Sequence, residues 1–255
     1  MTILRFFFSR SDSLRPFWRG HLFLFDPKSP PTYSAINGTR LLLIFVLLEG
    51  VLGPRLSLFS LLGIPVPTVW VRVIVLLILS LVLIRFFAGI YPNEIGLYSW
   101  AKWTTTEKWY FVQVFFIANI IFSCTAIRQL EIVWSHQSIW GSALLIFATS
   151  MVWGIYQELI YRGIFQTELM RRWGTGVGIV ISNLLYTFGP LHFYHFQTAK
   201  GNPEHLWIFV AIFAIGLFFA ILYKRSGNLW VVGICHGIGD CYLVGLMQAA
   251  ALAGQ

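Results

Sequence analysis

Three short motifs place chemistry-bearing residues four apart inside otherwise apolar stretches: Glu158 with Arg162, Phe188 with His192, and His236 with Asp240. A step of four returns to the same helix face, so on helices each motif forms a stripe. A carboxylate held against an imidazole can position a water and take its proton. A second histidine with an aspartate beside it can donate hydrogen bonds to a developing oxyanion. Arg162, one turn beyond Glu158, can hold the carboxylate in place. Water activation together with oxyanion stabilisation amounts to amide hydrolysis. A metal version stays open, because Glu158, His192 and His236 form a Glu-plus-two-His set of the kind zinc accepts.

The elements that must carry these residues are membrane helices. Of 255 residues, 57% are hydrophobic, 17% aromatic and only 11% charged, and mean hydropathy is +0.73. A soluble domain carries about 25% charged residues, so a soluble enzyme, a disordered chain and a nucleic-acid binder are excluded. The apolar runs predict an all-α polytopic bundle of seven, or at most eight, spans. They fall near 40–62, 67–90, 109–127, 139–165, 176–196, 205–223 and 229–252. Pro54, Pro65 and Pro67 break the chain around the first turn, Gly174-Thr175-Gly176 separates the fourth and fifth spans, and Gly227-Asn228 opens the last. Residues 1–38 stand apart as a basic and aromatic segment, read either as lying on an anionic leaflet or as a disordered tail. Residues 39–255 form the bundle.

With the N-terminus inside, thirteen of the Lys and Arg residues fall on inner segments, Arg171, Arg172, Lys224 and Arg225 among them. The outer loops keep Arg55, Arg128 and Lys200. That bias sets the N-terminus in the cytoplasm and fits a bacterial inner membrane. A rise of about 1.5 Å per residue puts Glu158 about 20 Å from Arg171, Asp240 about 22 Å from Arg225, and His192 about 27 Å beyond the Gly174 turn. The three motifs can therefore meet near mid-membrane.

Each motif also has a plainer reading, in which Glu158 and Arg162 lock helix packing and the histidines bond to backbone. Convergence of all three favours a functional reading, since burying so many polar groups is costly. Glu49 and Arg72 are expected to pair structurally between the first two spans. His195 and His205 flank a polar loop with Lys200, Asn202 and Glu204. Cys124, Cys235 and Cys241 show neither paired nor metal-type spacing.

Other intramembrane chemistries fit less well. There is no His-Glu-x-x-His and no Gly-x-Ser-x-Gly. Gly237-Ile238-Gly239-Asp240 resembles the Gly-x-Gly-Asp motif of presenilin-like aspartyl proteases. That chemistry needs a second carboxylate of the same kind, and the other aspartates, Asp12 and Asp26, lie in the N-terminal segment. The stretches Gln157-Glu158-x-x-x-Arg162, Phe188-x-x-x-His192 and His236-x-x-x-Asp240, with the lead-in Arg225-Ser226-Gly227-Asn228-Leu229-Trp230, are similar in order and spacing to the CPBP family. This family comprises the type II CAAX prenyl endopeptidases and the bacterial Abi-type membrane proteases. The resemblance covers about 139–245. It implies a metal-free, cofactor-free glutamic intramembrane protease acting on a membrane-anchored protein or peptide. His192 then holds the water, His236 and Asp240 form the oxyanion site, and Arg162 orients the acidic motif.

The departure is at Gln157, where the family carries the glutamate usually assigned to water activation; a carboxamide cannot serve as a base. Three readings are open. Glu158 takes over as base with Gln157 orienting water; the chain is an inactive, protease-like scaffold for a membrane partner; or glutamine stands there to trap the enzyme. A proton-coupled transporter using a Glu158/His192 relay is a further alternative, against which stands the lack of an inverted repeat.

Overall fold

A computed structural model of the protein describes residues 34–53, 62–63, 69–97, 99–103, 105–200 and 203–254. No strand occurs among the described residues. The N-terminal segment up to residue 33, the turn prolines Pro54, Pro65 and Pro67, and Asn202 lie outside them.

The helices follow the apolar runs. Helix α1 is Ala35–Phe45, continued by the π-helical Val46–Val51. Helix α2 is Val69–Val82, continued by Leu83–Phe87. Helices α3 (Thr105–Thr125) and α4 (Ile127–Ser135) are separated by a break at Ala126. Helix α5 runs without interruption from Gln137 to Trp173. Then come α6 (Thr175–Phe188), α7 (Tyr194–Ala199), α8 (Trp207–Ser226) and α9 (Leu229–Leu252).

Among the described residues, α3, α5, α8 and α9 are long and apolar enough to cross a bilayer. The protein is thus a helical integral membrane protein. Helices α1 and α2 overlap the first two expected spans, but residues between them are outside the described set, so the count of seven is not reached on these residues. The expected fifth span is shorter than its apolar run. Helix α6 stops at Phe188, which gives about 21 Å at 1.5 Å per residue, short of a hydrocarbon core of about 30 Å. Gly189-Pro190 ends it, because proline lacks the N–H that a further turn needs and restricts the residue before it.

The bundle turns apolar side chains outward and encloses a small polar cluster within an otherwise apolar core. Phe116, Ile120, Leu144 and Val210 are exposed, whereas Glu158, Arg162, Tyr156 and Tyr161 are fully buried. Two interfaces set the frame of the site. The Arg162 guanidinium donates from Nη2 to Gly216 O at 3.0 Å, and Gln166 Nε2 donates to Ala220 O at 3.0 Å. Both pairs lie 54 residues apart, so α5 and α8 run in the same direction, in step. That step sets Arg171 level with Arg225. Helix α9 runs antiparallel to α5: Cys241 Sγ meets Phe147 O at 3.2 Å, and Gly154 lies against Gly237 further along. A Cβ on Gly154 would lie 2.6 Å from Gly237 Cα. Small residues at this crossing let the two backbones touch.

Candidate active site

Glu158 is the last residue of the α-helical part of α5, and a π-helical stretch, Leu159–Gln166, begins immediately after it. Asp240 stands in the same relation to the π-helical Cys241–Gly245 of α9. Such widened turns are frequent at functional sites. Here they flank both charged motifs.

The close α5–α9 crossing brings the motifs into contact. Glu158 is completely buried and its two oxygens have different partners. Oε2 accepts from Arg162 Nε at 3.2 Å, and Oε1 lies 2.7 Å from His236 Nδ1. A carboxylate can only accept, so Nδ1 carries the hydrogen when Glu158 is ionised. The His236 ring is stacked on Phe219 with centroids 4.6 Å apart. Its Nε2 faces Tyr186 Oη at 3.5 Å and Asp240 Oδ2 at 3.6 Å. Gln157 Nε2 donates to the same Asp240 oxygen at 3.3 Å. The Arg162 guanidinium lies over the Tyr186 ring at 4.8 Å. Five of the six residues singled out from the sequence (Gln157, Glu158, Arg162, His236 and Asp240) therefore form one linked cluster.

His192 joins it differently than its motif spacing suggests. The break at Gly189-Pro190 leaves it on a turn past the end of α6, not on the same helix face as Phe188. Its Nδ1 lies 2.6 Å from the backbone oxygen of Tyr186, and the two rings meet edge to face at 4.8 Å. A carbonyl accepts only, so Nδ1 is the donor and Nε2 of the neutral ring is an acceptor able to hold a water. Tyr186 is thus the link between the two histidines. Its position in the sequence, two residues before Phe188 on an otherwise apolar helix, was the available signal.

The Glu158, His192 and His236 set is not arranged as metal ligands: both Glu158 oxygens are taken, by Arg162 Nε and by His236 Nδ1, and among the described residues no group of three His, Cys, Asp or Glu is placed to hold a metal ion.

The expected Glu49–Arg72 pair is not formed either. The π turn of α1 directs Glu49 to α5, where Tyr161 Oη donates at 3.0 Å and Tyr156 Oη at 3.5 Å. Arg72 Nε has no hydrogen-bond partner among the described residues. The two tyrosines flanking Gln157-Glu158 were visible in the sequence, but nothing in the pattern tied them to Glu49.

His195 stays beside His192, with ring centroids 5.9 Å apart, and packs on Tyr194.

Comparison with known families agrees with the three motifs. Residues 138–242 match the family model described as type II CAAX prenyl endopeptidase Rce1-like. The match runs from the start of α5 to just past Asp240 and supports the resemblance to the CPBP family, which is a protease family. Neither the curated proteins nor the solved structures gave a match to the chain.

Proposed function

We propose that the protein is an intramembrane endopeptidase that hydrolyses a peptide bond of a membrane-anchored protein or peptide. The observation that carries this reading is the 2.7 Å contact between Glu158 and His236, locked by Arg162, inside the segment that matches a protease family. Glu158 fixes the tautomer and direction of His236, as a carboxylate does for the histidine of a hydrolytic triad. His192 Nε2 holds a water. A carboxylate of the cluster takes that water's proton, and N–H donors of the cluster steady the oxyanion that forms. No step needs a metal or a cofactor.

The bundle is read as multi-spanning over residues 39–255, with the fifth expected span cut short at Phe188 and the N-terminus in the cytoplasm of a bacterial cell. Two basic helix ends support this orientation. The register between α5 and α8 sets Arg171 and Arg225 at one level, as a cytoplasmic edge requires.

The test is a comparison of membrane-protein termini, by terminus-selective mass spectrometry, in cells carrying the native protein or Glu158→Ala. Loss of a few processed ends in the variant is the expected result. An unchanged set of termini, with both proteins at equal level, moves the reading to the second one that Gln157 favours: a scaffold that holds a partner's membrane segment. Gln157→Glu then separates the two. A dead relative gains cleavage from the added carboxylate, whereas an enzyme that works with Gln157 is unchanged or impaired.

A further inference from the structure

The cluster holds two carboxylates, and they are not equivalent. Glu158 is sealed: its side chain has no exposed surface, and its oxygens are taken by Arg162 and His236. A base must come within hydrogen-bond reach of the water it deprotonates. Glu158 could do so only by releasing Arg162 or His236 into an apolar interior, which is costly for a buried charge. The Asp240 side chain is 21% exposed while its neighbour His236 is 7% exposed. Asp240 is therefore the carboxylate of the cluster that water can reach. It lies across a 3.3 Å contact from Gln157, on the facing helix.

The geometry points to Asp240, not Glu158, as the general base, with Gln157 opposite it as an N–H donor. The inference rests on the endopeptidase reading and names the atom that performs its first step. Asp240 takes a proton from water as the water oxygen bonds to the scissile carbonyl carbon and the carbonyl π electrons move to oxygen. An amide nitrogen carries two hydrogens. Gln157 spends one on Asp240 and offers the other to this oxyanion. On collapse the C–N bond breaks, and the proton on Asp240 passes to the leaving amine. Glu158 is then a positioning residue that acts through His236. Carboxylate and carboxamide stand on opposite helices, so exchanging them keeps the charge of the site and its pairing.

The experiment uses the full chain purified and reconstituted in phosphatidylethanolamine–phosphatidylglycerol vesicles. The probe is membrane protein extracted from cells that lack this protein, and the readout is the rate at which new termini appear. Four proteins are compared: native, Asp240→Asn, Asp240→Glu, and the exchange Gln157→Glu/Asp240→Asn. Loss of a general base costs about 10²–10⁴-fold. Asp240→Asn is expected to fall by at least about 10²-fold while unfolding at the native temperature. Asp240→Glu, which keeps the base, is expected to retain a measurable rate, and the exchange to recover at least about tenfold over Asp240→Asn. A native rate in Asp240→Asn overturns the assignment, because a carboxamide cannot accept the proton. A folded exchange variant no faster than Asp240→Asn overturns the pairing of roles. If Asp240→Asn does not fold, the assignment stands or falls on the rate of Asp240→Glu against the native protein. An absence of new termini with native protein removes the endopeptidase reading itself, and the assignment with it.

Discussion

Gly154→Ala tests whether the α5–α9 contact is what assembles the site. A Cβ at residue 154 would lie 2.6 Å from Gly237 Cα and 3.0 Å from His236 C, where ordinary contact begins at 3.4 Å. Both atoms are backbone, so no side chain can rotate out of the way. The two helices must separate by at least about 0.8 Å at this level, the shift that reaches 3.4 Å from Gly237 Cα, since Gly237 N lies nearer still. His236 is the residue before Gly237, so its ring moves with the same backbone. The 2.7 Å contact to Glu158 stretches to about 3.5 Å, the limit of a useful hydrogen bond. Overpacking of this kind costs about 1–3 kcal/mol, and a misplacement near 1 Å can cost about 10²-fold in rate. The assay pairs thermal unfolding in detergent with the rate of new termini in reconstituted vesicles. Gly141→Ala is the control, because a Cβ there meets nothing within 4 Å on the same helix. Gly154→Ala should unfold earlier and cleave about 10²-fold more slowly than Gly141→Ala. Equal stability and equal rate in the two variants would refute the claim that glycine at 154 sets the Glu158–His236 distance.

Other outcomes follow from the same geometry. Glu158→Gln keeps the volume but leaves the buried Arg162 without its counter-charge, so it should cost about 3–5 kcal/mol. Denaturant unfolding in mixed micelles checks this, and a cost under about 1 kcal/mol contradicts a buried ion pair. Tyr161→Phe removes the shorter of Glu49's two tyrosine hydrogen bonds and should cost about 1–3 kcal/mol, read by the same unfolding experiment. Because Arg162 and His236 already take both oxygens of Glu158, the one carboxylate of the Glu-plus-two-His set, prolonged EDTA treatment of the reconstituted protein should leave the rate of new termini unchanged. Loss of activity restored by added zinc contradicts the metal-free mechanism.

Much of the helix pattern is legible from hydropathy, since apolar runs of about 20 residues read the same on paper and in a bilayer. The turns at Gly174 and Gly227 are where the sequence puts them, and both glycines take positive φ, at 84° and 61°. The fifth apolar run outlasts its helix for a local reason: Pro190 lies inside the run, and hydropathy does not register a missing N–H. At the site, motif spacing on α5 and α9 identifies residues that share a helix face, though not for Phe188 and His192, and the antiparallel α5–α9 packing brings Glu158, His236 and Asp240 together. Spacing could not show which oxygen of which carboxylate each partner takes. That depends on Gly154 meeting Gly237, a contact between positions more than 80 residues apart. For Glu49, charge alone suggests an ionic partner, whereas its carboxyl group accepts from the Tyr161 and Tyr156 hydroxyls that the fold supplies.

The central claim is that this polar cluster cuts peptide bonds with water. The direct measurement is reconstitution of the native protein with the membrane-protein extract in ¹⁸O-labelled water, followed by mass spectrometry of the new C-termini. The account predicts one heavy oxygen in each newly formed carboxylate, with the labelled ends absent when His236→Ala replaces the native protein. Labelled ends produced equally by His236→Ala, or no new ends from the native protein, would contradict it.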